Sequence, residues 1–520
     1  MNRTDKGDFA QNLWRGESEI RLEEEISFPD YCSDVVRLLT LEGHAVIDRC
    51  RAFLQDGAVN TEISGTVYFT AVYLDEDNEC NSYSFSLDFS DNRKKDMGRL
   101  PIVPESLFAS VVPVHILCNP KVLSPRKLLA RCEVKMMHDI FANLSYSAYN
   151  STDDVASGIV DVEESTRVMT RIAGRKHEGF SLSEQIKLPA TLPSVEKILS
   201  SSSSVEVGAV YPSADEVSIE GTMTFKVLYL SEEDEFGEKN VVTFYQPLEF
   251  KNTLSLDDSS ESSVVRVSSW SGNTGAEIST DTFGENRVFT LNSSYTLSCL
   301  LMENNENVFV KDAYGIGGDI EVEVADTEYL EFLGTLSEKC SVREEIAESC
   351  DCESVENVKV QALCKGVSLN AEGWGADLKV EVSALGKKEG AALCTLKGGF
   401  DMRVLFNFPD AIEKKLSGKD AFIDVVPVVQ VTDCRVLHGA LEVLADVSVS
   451  CQVYKKDSAR YIKSLEYRDG EKKKNGLRFY YPTSDDTLWS VGKRYGVSRE
   501  KLRAINSLES DTLLSPIRIP

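Results

Sequence analysis

Residues Val217–Glu235 read VSIEGTMTFKVLYLSEEDE. Ile219, Met223, Phe225, Val227 and Tyr229 fall on one face and Glu220, Thr222, Thr224 and Lys226 on the other, the period of two that marks a strand with one buried face. The acidic SEEDE that follows, and the alternating VTFYQPLEF beyond it, predict a β-hairpin.

The same hairpin occurs earlier. TEISGTVYFTAVYLDEDNE, from Thr61, superposes on it without a gap when Ile63 is laid on Ile219. Gly65 then meets Gly221, Phe69 meets Phe225, Tyr73 meets Tyr229 and Leu74 meets Leu230. Upstream, EISFPDYCSDVVRLLTLEGHAVI and EQIKLPATLPSVEKILSSSSSVEV each give a strand, a proline, a short amphipathic stretch and another strand. The repeated unit is therefore a whole domain. A worn third copy is read at ADLKVEVSALGKKEG and CTLKGGFDMRVLFNF, with Ala376 where the others carry glycine. Each unit closes with a further strand pair, such as VVPVHILCNP and SPRKLLARCEVKMM.

The predicted fold is mainly β: tandem antiparallel sandwich or barrel-like domains followed by a small α+β module. Expected boundaries are 1–155, 156–322 and 323–466 for the β domains, 467–476 for a charged linker (GEKKKNG), and 477–520 for the module.

Composition narrows the function. With 84 acidic against 56 basic residues and a net charge of −28, nucleic acid and anionic membrane surfaces are disfavoured partners. The N-terminal stretch lacks the apolar run of a signal peptide, and no stretch of about 18 apolar residues suggests a membrane span; the expectation is a cytosolic protein. The 13 cysteines are odd in number and scattered, which predicts free, mostly buried thiols, as for Cys299 and Cys451. Cys350 and Cys352 lack the partners of a zinc site.

From Leu477 the pattern changes. LRFYYP is a short strand ended by Pro482. Asp486 fits an N-cap for a helix from Thr487, in which Leu488, Val491 and Tyr495 recur at helical spacing and Gly496 gives the stop. Ser498 caps a second helix whose Leu502, Ile505 and Leu508 face the first, and IRIP closes as a strand. The order strand, helix, helix, strand, with DTLWSVGKRYGVSREKLRAIN inside it, resembles the LysM domain. That resemblance implies a shallow groove for N-acetylglucosamine polymers, here involving Asp486, Thr487, Leu488, Asn506 and Leu508. Two departures weaken a sugar reading: Asp485 replaces the usual glycine, and the second loop is cut to Ser515 and Pro516.

Trp489 has three readings: packed across the helices, a partly exposed anchor at a protein interface, or a sugar-stacking ring. With it, Leu477, Lys493, Arg494 and Tyr495 are the candidate partner-binding residues. The module carries seven basic and five acidic residues, a weakly basic head on an acidic body that could steer an acidic partner.

Tandem β units containing SPRKLLARCEV and EGTMTFKVLYL, ending in one LysM, are similar to the SPOCS-domain spore coat morphogenetic proteins of the SipL type. The resemblance implies a protein of the mother-cell cytoplasm located at the forespore surface. Its LysM would bind the coat-basement morphogenetic ATPase, its β domains would meet further coat proteins, and it would need no cofactor. Peptidoglycan is the alternative LysM ligand. The five histidines, His44, His115, His138, His177 and His438, are isolated and form no nucleophile–base or metal motif. YGIGGD at Tyr314 reads as a turn rather than a nucleotide loop, so a non-enzymatic role is expected.

Overall fold

The computed structural model describes residues 4–520 except 235–236, 258, 262, 347–351, 389–392, 417–419, 470–477, 509, 512 and 514. The first unit runs through β1 (Thr4–Ser27), β2 (Arg37–Gln55), β3 (Ala58–Leu74), β4 (Cys80–Asp96), β5 (Phe108–Cys118), β6 (Lys121–Ser124) and β7 (Lys127–Tyr149). After the short α1 (Thr152–Ala156), the second comprises β8 (Val160–Lys187), β9 (Val195–Ser213), β10 (Glu216–Ser231), β11 (Val241–Ser255), β12 (Val264–Thr280) and β13 (Asn286–Gly315). The third has β14 (Gly318–Ile346), β15 (Cys352–Asn370), β16 (Gly373–Lys388), β17 (Leu393–Leu405), the one-turn α2 (Asp410–Glu413), β18 (Ala421–Leu437) and β19 (Ala440–Asp469).

Each unit obeys one rule. Three strands form a meander, β2-β3-β4, β9-β10-β11 or β15-β16-β17. The long last strand lies between the unit's first strand and an earlier one, as β1-β7-β5, β8-β13-β12 or β14-β19-β18, and in the first unit the short β6 also pairs with β7. The two antiparallel sheets enclose a core; in the second unit Ile219, Met223, Phe225, Val227 and Tyr229 all point into it and are fully buried, each contributing roughly 1.5–3 kcal/mol. The third unit begins at Gly318, ahead of the expected 323, and its last strand passes 466 to reach Asp469. Most of the expected linker lies outside the described residues.

The aligned glycines occupy matching environments. A Cβ on Gly65 would lie 2.2 Å from the Val46 carbonyl and 2.5 Å from the Phe89 ring; on Gly221 it would lie 2.4 Å from the Glu206 carbonyl and 2.5 Å from Phe250. Both sit beside a bulge that skips one residue of the preceding strand. In the third unit the corresponding bulge skips Lys365, and the residue beside it is Leu378, opposite Met402. Leu378, not Ala376, therefore stands at the glycine position. A glycine facing phenylalanine has become a leucine facing methionine, which refills the same space from the other side. Ala376 lies two residues away on the same face, and a slip of two leaves the alternation intact.

Parts of the outer faces of the units are covered by one another. Lys226 donates to the Val358 carbonyl of the third unit at 2.7 Å. Leu228 joins Val72, Leu230, Leu385 and Leu393 in an apolar cluster shared by all three units. A second shared cluster holds Phe141, Met302 and Tyr454. These three occupy equivalent register positions on β7, β13 and β19, each next to a bulge, and the Tyr454 hydroxyl lies 3.6 Å from the Met302 sulfur. The units thus meet about an approximate threefold axis.

Beside that axis is a buried ion cluster: Arg266 pairs with Asp139 and with Asp424, and Arg15 with Asp424. Burial raises the Asp139 carboxyl pKa, while Arg266 opposes the rise. Ser110, Arg266 and Asp424 are themselves equivalent positions on β5, β12 and β18.

Cys299 and Cys451 are free and buried as expected. Cys352 differs: it is disulfide-bonded to Cys394, a pair reaching across β16 at Gly386, where a Cβ would lie 2.7 Å from the Cys352 sulfur. Cys350 lies outside the described residues.

Candidate functional site: the LysM module and its seat

The module pairs β20 (Arg478–Tyr480) with β21 (Ile517–Ile519), with α3 (Leu488–Tyr495) and α4 (Arg499–Asn506) between them. Leu488, Val491, Leu502, Leu513, Ile517 and Ile519 form its buried core, with Tyr480, Tyr495, Val497 and Leu508 packed against it. Ile505 does not share this role and is exposed.

Thr487, rather than Asp486, caps α3: its hydroxyl accepts from the Ser490 amide and Ser490 returns the bond to the Thr487 amide. The Asp486 carboxylate instead accepts from the Thr483 amide, the Tyr480 hydroxyl and the Thr483 hydroxyl at 2.7–2.9 Å. These bonds, the Thr483 amide foremost, hold its pKa down at about 2. Gly496 ends α3 at φ 64° and Ser498 caps α4, as expected.

The candidate groove residues are thus engaged within the module. Asn506 donates to the Leu502 and Arg518 carbonyls at 2.9 Å and accepts from the Arg518 amide at 2.6 Å, tying α4 to β21. Leu488 is core, Thr487 is a cap and Leu508 is half-buried.

The candidate partner-binding residues divide into two sets. Arg494 and Tyr495 stay with the module: Arg494 lies over Tyr480 and donates to its hydroxyl at 2.7 Å, and Tyr495 packs edge-on against the same ring. Leu477 lies outside the described residues. Trp489 and Lys493 turn towards the second β unit, where the Trp489 indole donates to Asp312 at 3.2 Å and packs edge-on against Tyr314, centroids 4.9 Å apart. Lys493 pairs with the same Asp312.

Residues that the sequence reading passed over complete the contact. Arg499, at the start of α4, lies over the Trp489 ring at 4.9 Å. Its guanidinium reaches Asp161 at 2.8 and 3.1 Å, its amide reaches Asp161 at 2.8 Å, and it donates to the Val162 carbonyl at 2.6 Å. The Tyr314 hydroxyl lies 2.8 Å from Asp161 and 3.0 Å from the Val497 carbonyl, and the Gly317 amide donates to Gly496. Burial pushes the Asp161 carboxyl up, but the bonds from Arg499 and Tyr314 outweigh it and hold the pKa below the usual range.

Trp489 is therefore neither module core nor free surface. It is half-buried at a contact between a basic LysM face and an acidic, aromatic seat. The available signals were weak: Asp161 and Asp312 are acids at the ends of otherwise apolar strand runs, and Asp312 follows a bulge at Lys311. Phe479 on β20 and Tyr481 just after it are exposed, at 60% and 73%.

Elsewhere, Ser18 and His138 share a hydrogen bond. Both are buried, Trp14 stacks on the ring and burial lowers the imidazole pKa, so the pair is a core contact. Among the described residues no cluster of three or more His, Cys, Asp or Glu side chains is placed to hold a metal, and no helix is long and apolar enough to cross a membrane.

Comparison with known families fits this architecture. Residues 194–278, which span β9 to β12, match the family model described as SipL, SPOCS domain. Residues 483–516 match the LysM domain model. No curated protein and no solved structure matched the chain. Both are non-catalytic domain families, the first tied to the spore coat in sporulation and the second of peptidoglycan-binding type. The chain carries a SipL-type SPOCS domain within its second β unit and a LysM domain at residues 483–516.

Proposed function

We propose that this protein is a non-enzymatic adaptor of spore coat assembly, acting in the mother-cell cytoplasm at the forespore surface. Its LysM binds a protein, the coat-basement morphogenetic ATPase, while the three β units form a rigid body that offers surfaces to other coat proteins. The observation that carries this reading is the contact of Trp489, Lys493 and Arg499 with Asp161, Asp312 and Tyr314. A LysM face that fits carboxylates and an aromatic ring on a folded domain is a face suited to protein recognition. The internal use of Asp486 and Asn506 and the short loop at Ser515–Pro516 favour protein over glycan.

In this reading the seat on the second unit competes with the partner for Trp489. Exposed Phe479 and Tyr481 are available for first contact, and full engagement displaces the seat. Because the two faces share one chain, the partner competes with a tethered surface.

The test retains full-length protein on immobilised ATPase and, in parallel, on peptidoglycan and N-acetylglucosamine oligomers. Retention by the ATPase is expected, strengthened in Asp161→Ala, which frees an unaltered LysM, and lost in a folded Trp489→Glu variant. Retention by glycan alone overturns the reading in favour of a peptidoglycan-binding protein.

A further inference from the structure

A cavity of about 900 Å³ opens between the first and third units, with β2 and β5 on one side and β15, β16 and β17 on the other. Cys118, the last residue of β5, lines it. Its direct cross-strand partner on β7 is Cys132, which is buried, and the two sulfurs lie 3.9 Å apart.

The sheet geometry favours joining them. Asn119 donates its amide to the Arg131 carbonyl at 2.9 Å, so the adjacent Cys118–Cys132 pair is of the non-hydrogen-bonded kind. Such pairs have Cα atoms about 4.5 Å apart, inside the range of about 4.4–6.8 Å seen in disulfides. Side-chain rotation alone can close the gap. Opposite, Gly43 of β2 leaves the room: a Cβ there would lie 2.9 Å from the Cys118 sulfur.

The surroundings favour a thiolate at Cys118. Lys359 donates to the carbonyl of the same Gly43 at 3.3 Å, and Lys397 lines the cavity. The hydrogen bond with Cys132 first, and then these two cations, hold the Cys118 pKa below the ordinary thiol value against burial and the nearby Glu42 carboxylate. Burial pushes Cys50, Cys80, Cys299 and Cys451 up to about 12.

We propose that Cys118 and Cys132 form a peroxide-reactive dithiol site, with Cys118 as the attacking thiol reached through the cavity and Cys132 as the resolving one. The Cys118 thiolate attacks one oxygen of a hydroperoxide. The O–O bond breaks, and with hydrogen peroxide the departing hydroxide takes up the proton Cys118 had released, giving water and a sulfenic acid. The Cys132 sulfur then attacks the Cys118 sulfur, and the S–O bond breaks. The hydroxide leaves with the Cys132 proton as a second water. Two thiols lose two electrons and the peroxide gains them. The resulting disulfide ties β5, at its end beside the cavity, to β7 in the core of the first unit.

The experiment treats the reduced full-length chain with one equivalent of hydrogen peroxide, blocks remaining thiols with N-ethylmaleimide and maps linked peptides by mass spectrometry. A Cys118–Cys132 linkage is expected as the first new product. Cys132→Ser should leave Cys118 as a sulfenic acid captured by dimedone. In separate limited alkylation, Cys118 should react more than roughly tenfold faster than Cys50, the factor a one-unit pKa gap gives. Should Cys132→Ser not fold, linkage and alkylation in the wild-type chain decide. A first linkage elsewhere, or a Cys118 no faster than Cys50, overturns the proposal.

Discussion

Arg499 holds Asp161 with two guanidinium nitrogens and its own backbone amide, so one carboxylate joins the first turn of α4 to the second β unit. Asp161 touches the LysM without belonging to it, and its substitution separates docking from module folding. Asp161→Asn is expected to weaken docking by about 2 kcal/mol, in the range for hydrogen bonds to a charged group. This lowers the docked-to-undocked ratio by roughly 30-fold. Faster proteolysis between the third unit and the LysM, with unchanged circular dichroism, checks it.

The same carboxylate makes docking pH-dependent. Asp161 has a lower pKa docked than free, so its contribution is complete above the free value of about 3.9 and is lost as pH falls through the lower docked value. Asp486, held at about 2, keeps its turn charged over the upper part of that range. Trp489 emission should therefore shift below about pH 4 before the LysM unfolds. The low-pH step should be missing in Asp161→Asn.

Arg266 is the cation on which two buried carboxylates depend. Arg266→Ala leaves Asp139 facing no other close cation among the described ion pairs and should destabilise the chain by roughly 3–5 kcal/mol. Removing the exposed, solvent-screened Lys463–Glu323 pair should leave stability nearly unchanged. Chemical denaturation of the two variants against wild type measures the difference.

Gly221 has the Glu206 carbonyl and the Phe250 ring where a methyl group would go. Gly221→Ala should cost about 1–3 kcal/mol through overpacking, and Gly65→Ala a similar amount. Thermal unfolding of both variants checks whether the two positions respond alike.

Much of this fold was legible because burial leaves a period in the sequence. The Val217 hairpin, its copy at Thr61 and the helices around Val491 and Leu502 each bury one face, and each alternates accordingly. What the pattern lacked was information about a second face. Lys226 reads as solvent-facing, yet it lies against the third unit, and Leu228 is packed by residues more than a hundred positions away. By pattern alone the third copy aligns two residues out, because a shift of two preserves parity, and the bulge at Lys365 resolves it. At the LysM, Trp489 stood out by its type, whereas its seat consists of two aspartates and a tyrosine that look ordinary in their strands. Their significance comes from tertiary placement alone.

Ser110, Arg266 and Asp424 share one address in three copies of one fold. Had the copies stayed identical, that address would carry three like side chains, and any unit could stand in for any other, including one from a neighbouring molecule. Because they differ, the charges match only in the order the chain itself supplies. The divergence makes the three units non-interchangeable at this contact, since Arg266 finds a carboxylate on the third unit and a hydroxyl residue at the matching place on the first.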